Sequence, residues 1–168
     1  GLEKWHGLLT KPNGKKSWHR VFAEGSRAAI GLTRLYDCVT HAYTAPGAGR
    51  SLYADFLEEA GALIGEERTA EAASAFRKSG ELWTRLADTA CGASDDLTRY
   101  AELAELRSTH LHGQPEAEKM AALHAEQEQL VSDCKLTAAE AGEVLGRLGE
   151  VLAEIIEVEQ QGLELLRD

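Results

Sequence analysis

The chain has 168 residues, of which 43% are hydrophobic and 27% charged, a balance typical of a globular domain rather than a disordered segment. Its formal net charge of -10 argues against generic nucleic-acid binding, because nucleic-acid phosphates repel an acidic surface. No apolar run reaches the roughly 18 residues that a membrane span needs. The three cysteines are far apart and odd in number, which excludes a disulfide framework and indicates a reducing, cytoplasmic location.

The first half of the chain shows helical periodicity interrupted by turns. Residues 2–9 predict a short first helix, and Ser17 and Ser26 are placed to cap the next two helices. Ser51 opens a further helix after the break at Pro46. The predicted apolar stripes are Ile30, Leu35, Cys38, Val39 and Ala42 on the third helix, and Tyr53, Phe56, Leu57, Ala60 and Ile64 on the fourth.

The second half predicts longer helices over residues 69–91, from 95 onward, over 115–132 and from 137 nearly to the end. Thr137 and Glu140 have the spacing of a capping box. The last helix has a wide apolar arc, which indicates contact with more than one neighbour. Because no alternating strand pattern occurs, we predict one all-α domain over residues 1–168, a bundle of about six or seven helices.

Three glycines lie close together on one side of the last helix, at Gly142, Gly146 and Gly149. Each costs about 1 kcal/mol relative to alanine inside a helix, so close approach by another helix is expected there. An internal helix crossing is the favoured interpretation. A homodimer seam is the alternative.

The search for catalytic chemistry in the sequence finds little. Only Glu3 and His6 have the Glu-x-x-His spacing of a metal-binding bundle, and one pair is not a site, so no metal and no cofactor are expected. Cys38 and His41 form the only close Cys/His pair. Since Cys38 lies on an apolar stripe, a buried structural cysteine is favoured over a nucleophile.

The stretch "TAPGAGR" raises the question of a phosphate site, but it lacks the lysine of a P-loop and the third glycine of a dinucleotide motif. A tight corner between helices is the better interpretation. Arg50 at the start of the following helix could still bind a carboxylate or phosphate. The candidate substrate-binding residues at this corner are Arg50, Tyr53, Asp55, Glu58 and Glu59. In the alternative interpretation Arg50 pairs with a nearby acid and Tyr53 packs in the core.

The charge is divided unevenly along the chain. Residues 1–50 contain eight Lys/Arg and three Asp/Glu, a net charge of +5, while residues 51–168 contain ten and twenty-five, a net charge of -15. The basic end is expected to meet an acidic partner, and the acidic remainder to attract a cationic substrate. Solvated helix faces would give the same pattern.

Three segments carry a family resemblance: "GLEKWHGLLTKPNGKKSWHRVF", "GAGRSLYADFLEEAGALIG" and "TAEAASAFRKSGELWTRLAD". In this order they are similar to the helical C-terminal domain of proteins related to butirosin biosynthesis protein H. The resemblance implies a papain-like N-terminal domain with a catalytic cysteine, followed by a helical domain of unassigned function. The butirosin member transfers an aminoacyl group from an acyl-carrier protein to an aminoglycoside amine.

The resemblance therefore implies that this chain is the C-terminal part of a longer protein and is not catalytic alone. We expect a helical accessory or substrate-binding domain of a BtrH-like, cysteine-dependent acyltransferase or amide-processing enzyme of bacterial secondary metabolism. The implied partners are the papain-like domain or subunit, an acyl-carrier protein and a cationic small-molecule acceptor. Carrier docking is expected on Lys11, Lys15, Lys16 and Arg20. The alternatives are a self-standing helical interaction or dimerisation module and a small enzyme that uses the acids near Arg50.

Overall fold

The computed structural model describes residues 1–42, 46–113 and 116–167, and it confirms an all-α bundle. Over this part of the chain there are eight α-helices, one more than the upper end of the prediction, and no strand. A short 3-10 turn, Gly47–Gly49, precedes the fourth α-helix. The α-helices are α1 (Leu2–Thr10), α2 (Trp18–Val21), α3 (Gly25–Thr40), α4 (Arg50–Ile64), α5 (Glu67–Cys91), α6 (Asp95–His112), α7 (Ala117–Asp133) and α8 (Ala138–Leu165).

Side-chain caps set several of these helix starts. The Ser17 hydroxyl accepts from the His19 backbone N–H at 3.2 Å, and Thr137 and Glu140 form the predicted capping box. The prediction that Ser26 caps α3 is wrong, because the helix already begins at Gly25. The Gly25 N–H donates to the Leu136 carbonyl at 2.7 Å, so a contact with the loop before α8 fixes this helix start instead of a local side chain.

The core is organised around α5 and α8. Helix α5 packs against α8, α4 and α3, and α8 also packs against α1, so the wide apolar arc of the last helix does meet more than one neighbour. Leu86 on α5 and Leu148, Leu152 and Ile155 on α8 are completely buried.

The glycines of α8 have different environments. A Cβ on Gly149 would lie 2.6 Å from the Thr10 methyl group, so this glycine permits the close crossing of α1 over α8. A Cβ on Gly142 or Gly146 would meet no described atom within 4 Å. The internal crossing therefore involves Gly149, and the homodimer seam stays an alternative for the other two.

The predicted inward face of α4 is wrong in part, since of its large residues only Leu57 is buried. The residues buried against α5 are Ala54, Leu57 and Gly61, whereas Phe56 and Ile64 are exposed. A Cβ on Gly61 would clash with the Thr69 hydroxyl oxygen, which shows how closely the two helices approach. Small residues permit this approach, so packing selects their face of α4 over the face with the larger side chains. Ile30 on α3 is likewise exposed rather than buried.

The aromatic residues of the basic N-terminal segment pack inside the molecule. Trp5 stacks on Trp83 of α5 with ring centroids 5.9 Å apart, and Trp18 contacts Trp5 and Phe22 edge-on. They are therefore not free to dock the segment onto another protein. In the described part of the chain, no helix combines the length and apolar composition required for a membrane span.

Candidate functional site

The guanidinium of Arg50 binds a carboxylate of the same chain. Its Nε and Nη2 donate to the two carboxylate oxygens of Glu159 at 2.6 and 3.0 Å, a bidentate pair between the start of α4 and the end of α8. Its Nη1 donates to the Ala48 carbonyl at 3.1 Å. An external anion would have to compete with Glu159 for the guanidinium. The anion-binding role of Arg50 stays a prediction.

Glu159 is 9% exposed and is the acceptor of a buried polar cluster. Besides Arg50, the Ser79 hydroxyl donates to its Oε1 at 2.7 Å and the Trp83 indole N–H at 3.2 Å. Burial alone would raise the pKa of Glu159, but the hydrogen bonds from Arg50, Ser79 and Trp83 outweigh it and hold the pKa below its ordinary value. Glu159 is thus a stabilised carboxylate rather than a proton donor.

Glycines explain the path of the corner before α4. Gly47 has a φ of +55°, and a Cβ there would lie 3.1 Å from the Gly80 carbonyl oxygen on α5. This close approach places Arg50 above the Trp83 ring, with its guanidinium carbon 5.9 Å from the ring centroid. The "GAGR" element therefore acts as a packing corner that aims Arg50 at Glu159.

The other predicted corner residues lie on the surface and do not converge on Arg50. Arg77 of α5 binds Asp55 at 2.8 Å and Glu58 at 2.7 Å, all with exposed side chains. Tyr53 packs edge-on against Phe76, with ring centroids 4.7 Å apart. Glu59 is exposed. The geometry does not test their substrate-binding role, which stays a prediction.

The proposed docking cations are accessible. Lys11, Lys15, Lys16 and Arg20 are all exposed, and none of them forms an ion pair with another described residue. They lie on the loop between α1 and α2 and on α2 itself. This arrangement leaves their charges available to a partner.

A separate polar cavity of about 640 Å³ lies between α3, α6 and α7. It contains two carboxylates, two guanidinium groups, an imidazole and several neutral polar groups. Helices α3 and α6 pack against each other and both pack against α7, so the three helices hold its walls. The lining residues are Ser26, Ile30, Thr33, Arg34, Asp37, Tyr100, Arg107, His124, Gln127, Glu128, Val131 and Ser132.

Asp37 in this cavity has one paired and one unpaired carboxylate oxygen. Its Oδ2 accepts a hydrogen bond from the Tyr100 hydroxyl at 2.7 Å. Its Oδ1 is buried and has no hydrogen-bond partner within residues 1–42, 46–113 and 116–167. Because an unpaired buried acceptor is costly, a donor that reached Oδ1 would be stabilised. This atom has almost no exposed surface, so the Asp37 side chain has to turn toward the cavity to meet a ligand.

The remaining polar groups of the cavity are held in place by one another. Gln127 is almost completely buried; its amide nitrogen donates to the Tyr100 carbonyl at 3.2 Å, and its amide oxygen accepts from Arg107 at 2.7 Å. Arg34 lines the same cavity and forms no ion pair with a described residue. The site thus combines one acceptor that lacks a donor, a second carboxylate at Glu128 and two cations, which suits a molecule that carries an amine and an electron-rich group.

Residues 15–125 match the family of a domain of unknown function, DUF4872. The chain belongs to this family. No curated protein and no solved structure shows detectable similarity to it. The family match supports the predicted resemblance only at the level of a helical domain without an assigned activity.

In this DUF4872 domain the family match includes Arg50, Asp37 and Tyr100, but it ends before Gln127 and Glu159. Sequence reasoning missed both of these two residues and also Asp37. The available signal for Gln127 was weak, since it is one polar residue in a helix with many exposed polar residues. Asp37 lies next to Cys38 on α3, and the apolar stripe that predicts this helix gives no indication of a role for its polar residues.

The buried thiol of Cys91 is a poor nucleophile. Burial, with added repulsion from Asp37 and Asp88, raises the pKa of Cys91 far above its ordinary value. Cys134 is buried, Cys38 is half-buried, and none of the three forms a disulfide. Among the described residues, no group of three or more His, Cys, Asp or Glu side chains could hold a metal ion.

Proposed function

We propose that this DUF4872 domain binds an amine-bearing small molecule in the cavity between α3, α6 and α7. One observation carries the proposal: the buried Oδ1 of Asp37 has no donor among the described residues. An ammonium group at this atom would supply the missing hydrogen bond and neutralise the carboxylate. Arg34 and Arg107 would face a hydroxyl or ether oxygen of the same molecule.

We further propose that the domain serves a cysteine-dependent acyltransferase or amide-processing enzyme of the BtrH-like type. The resemblance of the first half of the chain supports this assignment. In this scheme a papain-like domain or subunit carries the nucleophile. The helical domain holds the amine that accepts, or carries, the acyl group.

The cavity is tested by the binding of an aminoglycoside such as neomycin, measured by isothermal titration calorimetry. Asp37→Asn keeps the shape of the side chain and an acceptor for Tyr100 but removes the charge, and we expect it to weaken binding about tenfold or more. Asp88→Asn is the matched control, since Asp88 is an exposed acid on α5 and should leave affinity within about twofold.

Equal weakening by the two variants would indicate that the polyamine binds the acidic surface generally, and the cavity proposal would be wrong. A neutral sugar of similar size should not bind. Thermal unfolding of each variant separates lost binding from lost folding.

Carrier docking is tested by charge reversal on the basic surface. We expect Lys11→Glu/Lys15→Glu/Lys16→Glu/Arg20→Glu to reduce affinity for an acidic acyl-carrier protein at least about tenfold at low salt. The effect should shrink as salt is added, because exposed charges are screened. The control reverses Arg147 and Arg167, which are exposed on α8 and beyond its end. Unchanged carrier affinity in the fourfold variant would contradict the docking proposal.

A further inference from the structure

Helix α4 exposes a broad apolar face on the side opposite its contact with α5. Leu52, Phe56 and Leu63 are 75%, 60% and 86% exposed. Their spacing of four and seven residues places them on one stripe, and Tyr53 and Ile64 extend this stripe on one side. We call these five residues the outer face of α4.

The outer face is unusual because α4 is apolar on two opposite sides. Ala54, Leu57 and Gly61 already bury the inner side against α5. A contiguous exposed apolar patch marks an interaction surface. The outer face therefore has the properties of a binding surface for another helix.

Acidic residues identify the kind of helix that fits. Asp55 and Glu59 border the outer face along one edge, and Glu58 lies next to them. Arg77 neutralises part of this charge through its contacts with Asp55 and Glu58, and Arg50 is bound to Glu159. The edge therefore keeps a net negative charge that favours lysine or arginine on the partner.

The same charges oppose a second copy of this chain. In a two-fold antiparallel pairing of α4 with itself through the outer face, the middle of the helix meets its own copy, so Glu59 of one chain would lie near Glu59 of the other. Like charges in such positions are destabilising. Anionic membranes would be repelled by the same edge.

We propose that the outer face of α4 binds an amphipathic helix with an apolar stripe and basic flanks, supplied by another domain or protein. The interaction is of the helix-on-helix type, with Phe56 and Leu63 as the main anchors. It does not depend on the cavity at Asp37, which lies on α3.

The test uses a fluorescent peptide of leucine and lysine in amphipathic helical spacing. The peptide has 15 residues, which is the length of α4. Fluorescence anisotropy measures its binding at low salt. A peptide with glutamate in place of lysine is the charge control. We expect the lysine peptide to bind at least about tenfold more tightly than the glutamate peptide.

Protein variants locate the bound peptide. Phe56→Ser/Leu63→Ser should weaken binding of the lysine peptide about tenfold or more, because two apolar anchors are removed. Leu111→Ser/Leu163→Ser removes two exposed leucines on α6 and α8 and should leave affinity within about twofold. Glu59→Lys should weaken binding at low salt, and the difference should disappear at high salt.

Several results would overturn the proposal: no binding of the lysine peptide, equal binding of both peptides, or equal affinity of the two double variants. Sedimentation of the free protein measures its oligomeric state as a further test. A dimer that Phe56→Ser/Leu63→Ser abolishes would assign the outer face to a second copy. If the protein binds phosphatidylcholine vesicles and Phe56→Ser/Leu63→Ser abolishes this binding, the outer face would be assigned to a lipid surface.

Discussion

Replacing Glu159 with alanine is expected to lower the free energy of unfolding by about 3 kcal/mol. The substitution leaves the Arg50 guanidinium without its bidentate partner and removes the acceptor of the Ser79 hydroxyl and the Trp83 indole N–H. Urea denaturation measures the loss. Glu143→Ala is the matched control, because Glu143 is exposed on the same helix and its loss should change the free energy by less than about 0.5 kcal/mol.

The ion pair has a second signature in the double variant Arg50→Ala/Glu159→Ala. Because Arg50 loses most of its binding role once Glu159 is absent, the double variant should be less destabilised than the two single variants together. Strict additivity would contradict a direct interaction.

The contribution of Glu159 should also depend on pH in a defined direction. Its pKa in the folded chain lies below the ordinary value of 4.5, so its charge-dependent stabilisation is fully present above that value and is lost as the pH falls through the folded pKa. The difference in unfolding free energy between the wild type and Glu159→Gln should therefore be constant near neutral pH and shrink in acid. A difference that does not vary with pH would show that the charge of Glu159 does not contribute to the free energy of unfolding.

Replacing Trp83 with alanine is expected to cost about 4 kcal/mol of unfolding free energy. Trp83 is almost completely buried, stacks on Trp5 of α1 and donates to Glu159, so the substitution leaves a large cavity and loosens the contact of α1 with the core. Trp83→Phe keeps an aromatic ring but loses the N–H donor, and it should cost about 1–2 kcal/mol.

The exposed aromatic residue Phe56 provides the control for Trp83. Since Phe56 is 60% exposed, Phe56→Ala should change the unfolding free energy by less than about 1 kcal/mol. A similar cost for Phe56→Ala and Trp83→Ala in urea denaturation would contradict the buried anchoring role of Trp83.

The sequence was informative about the fold wherever the deciding interactions are local. The capping box at Thr137 and Glu140 and the long helix predicted over residues 69–91 can be read from residues a few positions apart, and both are confirmed. The inner face of α4 could not be read in this way. Large apolar residues lie on one side of this helix and small ones on the other. The small residues are buried because only they permit the close approach of α4 to Thr69 on α5.

The polar sites depended on contacts that no local pattern reveals. The sequence singled out Arg50, but its partner Glu159 is 109 positions away on α8. Asp37, Tyr100 and Gln127 come from three different helices, and each is an ordinary residue in its own segment. Their importance follows only from burial and from the unsatisfied oxygen of Asp37, which are properties of the assembled bundle.

The packing of α8 along α5 also bears on where the independent folding unit of this family ends. The family match stops at residue 125, yet α8 begins at Ala138 and contributes Leu148, Leu152 and Ile155 to the core together with Glu159. A chain ending at the family boundary would expose the apolar side of α5 to water and leave Arg50 without its carboxylate. The cooperative unit is therefore longer than the segment by which the family is recognised, and expression or domain-swap designs have to retain the last helix.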